Sequence, residues 1–264
     1  MTFSIVRFGD VYASAEHLPV LDGRQPQGSG SVASSLVALP GGAAFDWRGG
    51  DPARIEAQEV TVEGVWVADT PAALQAKLHS LRALLGKRAR LWRADDTERQ
   101  WRIARCLEVR SQKEPGSQGH AEIGLRFQLF PGPWNGAART VNATLDASPK
   151  TLTCNNAGNV RVDNAVVTVT ASGSAITVVR VRIANVSDVQ WNGSLAVGQT
   201  LTIDCGARRV RIGSTNAYAG FTFRSGHTVP EWLRLQPGNN SVLIYRTGGS
   251  SASTAQITFN DGWA

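Results

Sequence analysis

One stretch restricts the fold more than any other: residues 119 to 136, where an alternating strand runs into a proline, glycine, proline break. Ala121, Ile123, Leu125, Phe127 and Leu129 are apolar at every second position, with Glu122, Arg126 and Gln128 between them. That is the period of a strand with one buried face. Pro131 and Pro133 have no amide to give a ladder and Gly132 frees the backbone to turn, so one sheet should end here and another structure begin. The break predicts two domains, 1-133 and 134-264.

A chain of 264 residues can bury two cores without disulfides. Its 27 glycines, with Val and Ile recurring beside Asn, Gly and Pro, favour β structure. Cys106, Cys154 and Cys205 are far apart and form no Cys-x-x-Cys pair, which excludes a legible zinc site or disulfide framework. The start lacks a basic leader and an apolar run, and no stretch reaches the apolar length of a membrane span. A product folded in the cytoplasm, without membrane insertion, is expected. The net charge of +6 is uneven: 16 basic against 15 acidic residues up to Pro133, and 11 against 6 beyond it. The basic residues are scattered through alternating patterns, as on a solvated sheet face.

In the first half, Phe3 to Phe8 and Ser29 to Leu39 read as strands, joined by a polar loop from Asp22 to Gly30. Turns follow at Pro40-Gly41-Gly42 and Asp46 to Gly50. The run from Arg54 to Val67 is apolar on both faces near its end, and so reads as a central strand. Residues 70-86 form the one clear helix. Thr70 can cap it, Pro71 suits its first position, and Gly86 can end it in a left-handed conformation. Leu74, Leu78, Leu81 and Leu85 make one apolar stripe, which suits a helix covering its own sheet and is also the candidate subunit-contact surface. Ala89 to Arg93 and Arg99 to Arg110 read as a hairpin around Ala94 to Thr97, and 113–119 as a polar loop. In the second arm Trp101, Ile103, Leu107 and Val109 share a face with Arg99 and Arg105, while Gln100, Arg102, Cys106, Glu108 and Arg110 point the other way.

In the second half, short strands alternate with turns at the spacing of a sandwich or jelly roll. Expected strands include 160–162, 166–171, 175–183, 187–191, 200–204, 208–212, 219–223, 232–235, 241–245 and 255–259. Ser172-Gly173-Ser174 and Asn192-Gly193 read as tight turns.

Several segments resemble the distal tail proteins of long, non-contractile-tailed (siphovirus-type) bacteriophages. They are Asn156-Ala157-Gly158-Asn159, the run from Leu195 to Asp204, and Trp232 to Asn240. The first half is similar in its Pro40-Gly41-Gly42 loop, leucine-striped helix, hairpin, and strand ending at Phe130 to Trp134. The resemblance implies a mainly β chain: an N-terminal antiparallel β-sandwich or split barrel with one covering helix, then a galectin-like β-sandwich (jelly roll). It implies a structural role in the virion, at the distal end of the tail. There a homohexameric ring would join the tail tube protein to the tail-tip hub protein. Its channel would pass the tape-measure protein and DNA, without sequence-specific binding.

No catalytic or metal constellation emerges. His17, His79, His120 and His227 are far apart, and Asp95-Asp96 suits a turn. No enzyme activity, cofactor or metal is expected. The rival reading is a carbohydrate-binding sandwich contacting a host polysaccharide, with Trp191 and Trp232 as candidate sugar contacts. Against it, such tryptophans commonly pack in a core. A neck or minor capsid component is the third reading.

Overall fold

The computed structural model describes residues 4–9, 11–12, 37–38, 44–45, 59–94, 99–113, 119–130, 132–224 and 231–264. It divides into two compact units, Met1–Trp134 and Asn135–Ala264. The 22–30 loop, most of the strand expected over 29–39, the corners at 40–42 and 46–50, the 95–97 turn, the 114–118 loop, Pro131, His17 and His227 lie outside the described residues.

The first unit contains β1 (Ser4–Phe8), β2 (Val11–Tyr12), β3 (Val37–Ala38), β4 (Ala44–Phe45), β5 (Glu59–Val67), α1 (Pro71–Arg82), β6 (Arg88–Ala94), β7 (Arg99–Lys113) and β8 (His120–Leu129). An antiparallel sheet runs β5-β8-β7-β6-β1-β2, and β3 pairs with β4. In β8 the five alternating apolar residues from Ala121 to Leu129 are all buried, as their period requires. β5 differs from expectation. Among the described residues it pairs only with β8 and stands at the end of the sheet, with Val60 and Val62 buried and Thr61 and Glu63 exposed.

The helix begins as its sequence dictates. Thr70 Oγ1 accepts from the amide of Ala73 at 3.1 Å and Pro71 occupies the first turn, where its missing amide leaves nothing unsatisfied. Leu74, Leu78 and Leu81 are buried. The α-helix stops at Arg82, four residues short of the expected end, and the chain tightens into a turn that closes at Gly86 with φ +77°. That turn buries Leu84 and leaves Leu85 58% exposed, so Leu85 leaves the stripe.

β7 buries the face that carries Gln100, Arg102, Ala104 and Cys106, while Trp101 and Ile103 are half-buried on the other side. Strict alternation holds only as far as Cys106. The register with β8 shifts between Cys106 and Glu108, and a bulge of this kind turns the following residues to the opposite face.

The second unit is built from β9 (Trp134–Thr144), which enters it at Asn135, β10 (Lys150–Asn156), β11 (Val166–Thr170), β12 (Ile176–Ile183), β13 (Ser187–Leu195), β14 (Thr200–Asp204), β15 (Arg209–Ile212), β16 (Thr215–Asn216), β17 (Phe221–Phe223), β18 (Gly238–Gly248) and β19 (Thr254–Trp263). One sheet has the order β10-β18-β12-β13-β17, and the other runs β16-β15-β14-β11-β19-β9. Inward residues of both form a single core, among them Cys154, Val181, Trp191, Val242 and Ile244 from the first sheet and Val167, Leu201, Ile203 and Ile257 from the second. This is a two-sheet antiparallel sandwich, in keeping with the mainly β class expected.

Sequence reading missed β9 and β10. Asn135, Gly136, Ala137, Ala138 and Arg139 carry little β propensity, and the ladder supplies what propensity does not. The expected strands at 160–162 and 232–235 are extended chain joined by an isolated bridge, Val162 to Leu235. The Asn192-Gly193 turn is absent because β13 continues through both residues to Leu195. Gly193 has a different role. A Cβ there would sit 2.3 Å from Trp191 Cζ2, so the glycine makes room for the indole.

Candidate functional surfaces

The three described-region cysteines are buried free thiols. Burial pushes the Cys106 thiol up, Cys154 to about 11 and Cys205 to about 12, so all are neutral at physiological pH and poorly suited to nucleophilic or metal chemistry. Among the described residues no cluster of three or more His, Cys, Asp or Glu side chains could hold a metal, and no helix is long and apolar enough to cross a membrane. The surfaces are therefore the place to look for function.

On the first unit, Leu74, Leu78 and Leu81 are consumed by its own core and only Leu85 is offered outward. The sheet face opposite this core carries a basic-aromatic area and a salt-bridged one. Register places Arg88 against Arg105 and Trp92 against Trp101. Arg90 lies 4.1 Å over the Trp101 ring and Arg88 4.2 Å over Phe130, so exposed guanidinium groups are stacked on half-buried aromatics. Farther along the same face, Arg126 bridges Glu59 at 3.2 Å and Glu108 at 3.1 Å, and Glu108 also accepts from Arg110. These partners hold the Glu108 carboxyl below its usual range, chiefly the Arg110 hydrogen bond. Beneath the sheet, Arg93 donates to Gln100 Oε1 at 2.9 Å and lies 4.3 Å over Trp134. Arg102 donates to the Phe130 carbonyl at 2.8 Å, and burial lowers its pKa to about 10.

On the second unit, the candidate sugar contacts are packed away. Trp191 is 3% exposed and its Nε1 donates to the Ala217 carbonyl at 3.1 Å. Trp232 is half-buried, stacked on Phe221 at 4.6 Å and edge-on to Phe223 at 5.7 Å. The cluster shows solvent chiefly one aromatic, Tyr218, the first residue of the 3-10 turn that leads into β17. The inward parity of Ser187, Val189 and Trp191 was the sequence signal for the burial of Trp191. Nothing comparable marks Tyr218, which sits outside any alternating run.

The segments that carried the resemblance turn out to hold the ends of this sandwich. Asn156 Oδ1 accepts from Gly158 at 3.1 Å and Gly262 at 3.0 Å, and its Nδ2 donates to the Val160 carbonyl at 2.8 Å. Asp261 accepts from the Ala157 amide at 2.9 Å and from Arg139 at 2.8 Å. Asn240 spans the 236–240 turn, accepting from the Gln236 amide at 2.8 Å and donating to the Gln236 carbonyl at 2.7 Å. Gln199 Oε1 likewise accepts from the Ala196 amide at 3.0 Å.

Residues 157–263 match the family model of the siphovirus-type tail component, C-terminal domain. The crystal structure of the SPP1 Dit (gp 19.1) protein, titled a paradigm of the hub adsorption apparatus in phages infecting Gram-positive bacteria, aligns with a TM-score of 0.63 at 13% identity. It covers 98% of this chain and 99% of the other. Two structures of the phage p2 baseplate in its activated conformation also align, with Ca at a TM-score of 0.43 and 10% identity, and with Sr at 0.41 and 9%. They cover 77% and 79% of this chain, and 79% and 81% of the matched chains. No curated protein matches.

Proposed function

We propose, from a second unit that matches the family model of the siphovirus-type tail components and a whole chain folded like the SPP1 Dit protein, that this protein is a structural component of a phage tail tip. The observation that carries the reading is the agreement of the two comparisons: the family match falls on the second unit, and the fold likeness extends through the first. Its place is the virion, at the distal end of the tail, and its role is architectural rather than catalytic. In this reading the first unit assembles side by side, six copies closing a ring between tail tube and tip hub, with a channel for the tape-measure protein and DNA. The exposed Leu85 and the guanidinium groups of Arg88 and Arg90, stacked on half-buried aromatics, support that use of the first unit, because an apolar side chain and cations held at the surface are features that a neighbouring copy can cover. A sugar-binding platform of Trp191 and Trp232 finds no such support, since both rings are engaged within the chain.

Negative-stain electron microscopy of the purified protein, classified without imposed symmetry, tests the ring. Closed rings with a central hole are expected, by the protein alone or on added tail tubes. Monomers that remain single in the presence of tubes contradict it.

A further inference from the structure

Much of the positive excess of the second half is gathered in one hairpin. Arg139, Arg180 and Arg234 are matched by Asp261, Asp188 and Glu231, while Arg224 and Arg246 donate to Gln190 Oε1 and the Leu145 carbonyl. Among the described residues Arg208, Arg209 and Arg211 make no side-chain hydrogen bond, ion pair or ring contact. The carboxylate opposite Arg209 in the register, Asp204, is turned to the amide of Ala207 at 2.8 Å. Three unmatched guanidinium groups thus stand within four residues.

They share one cleft of about 430 Å³ with Ser214, Asn216 and Tyr218. Arg209 and Arg211 point the same way because Val210 between them is buried. Arg208 occupies the turn before them with φ +55°, a backbone conformation glycine would hold more easily. Tyr218 is 43% exposed, its ring steadied at 5.7 Å from Phe221 and 6.2 Å from Trp232. Asn216 Oδ1 accepts from the Tyr218 amide at 3.0 Å, which leaves its Nδ2 to donate into the cleft.

We propose that this cleft binds a sugar–phosphate repeat of an anionic envelope polysaccharide. Arg209 and Arg211 donate to the phosphate, the sugar packs on Tyr218, and its hydroxyls meet Asn216 and Ser214. The inference rests on the tail-tip reading, which brings the second unit to a host surface. Residues two apart on one strand reach across about 7 Å, the scale of one phosphate and its sugar. Duplex DNA is favoured instead by a long stripe of roughly six to ten phosphate contacts, which this hairpin does not provide.

The test measures binding of the full chain to phosphomannan, to the same mannan after dephosphorylation, and to a short DNA duplex, between roughly 50 and 200 mM salt. Phosphomannan alone should bind. Arg209→Ala and Arg211→Ala should each weaken it roughly tenfold and shallow its salt dependence by about one phosphate contact. Arg211→Lys should retain most binding, Tyr218→Leu should lose part of it, and Arg182→Ala, on β12 of the other sheet, should change nothing. Equal binding of dephosphorylated mannan, binding of neither mannan, preference for the duplex, or an unaffected and folded Arg209→Ala/Arg211→Ala protein would each overturn the proposal. Gold labelling of virions separates the two ideas. Label at the tail tip with unaltered phosphomannan binding in the double variant defeats the cleft alone, whereas label elsewhere defeats the tail-tip reading.

Discussion

The two units stabilise themselves by different means. The second closes two sheets over a shared apolar core and pins its ends with buried polar side chains, Asn156, Asn240, Ser253 and Asp261, each hydrogen-bonded. Among its described residues the first lays one helix on its larger sheet, takes Arg93, Gln100 and Arg102 into the buried side, and turns Leu85 and a basic-aromatic face outward. A sandwich closed over its own core suits a module needing no neighbour for stability, while a unit that shows a leucine and stacked guanidinium groups to solvent suits assembly.

The largest effect expected lies in the helix cover. Leu81→Ala should cost about 4 kcal/mol, a buried leucine lost to a cavity, and should lower the first-unit transition in calorimetry while leaving the second near its original temperature. A single joint shift of both transitions would break the contrast between the units. Next is Gly158→Ala: the new Cβ would fall 1.8 Å from the Gly262 carbonyl oxygen, against backbone that cannot swing aside. A loss of about 3 kcal/mol confined to the second unit should follow, read from denaturant unfolding.

Asp261→Asn should be milder. It keeps an acceptor for Ala157 but weakens the pairing with the half-exposed Arg139, costing about 1 kcal/mol in the same measurement. Thiol reactivity sharpens the comparison without a mutation. Because burial raises the cysteine pKa values, the neutral thiol prevails in the folded protein at pH 8, and Cys154 and Cys205 should react with a disulfide reagent only on unfolding. Raising the pH toward 11 should weaken the second unit, since the unfolded thiols ionise first and draw the equilibrium with them. Smallest in stability is Leu85→Ser, within about 0.5 kcal/mol of wild type. Yet it should reduce ring closure seen in electron micrographs, which separates Leu85 from the three leucines beneath it.

Periodicity made much of this fold legible. The alternation from Ala121 to Leu129 marked its buried face, and Thr70 with Pro71 marked the helix start, because those signals depend on local geometry. Phase errors arose where geometry changed midway: the bulge after Cys106, and the tightened turn that exchanges Leu85 for Leu84. Gly193 was misread because an Asn-Gly pair has the composition of a turn whether its glycine bends the chain or yields space to an indole. β9 escaped because its stability comes from pairing, which composition does not record. The resemblance rested on segments that prove to be hydrogen-bonded corners, whereas the Arg208 to Arg211 cleft requires knowing which acids are already taken.

Labelling intact virions with a gold-conjugated antibody to this protein decides whether it sits at the tail tip. Gold is expected at the distal end of the tail and nowhere else. Gold confined to the head or neck would contradict that placement.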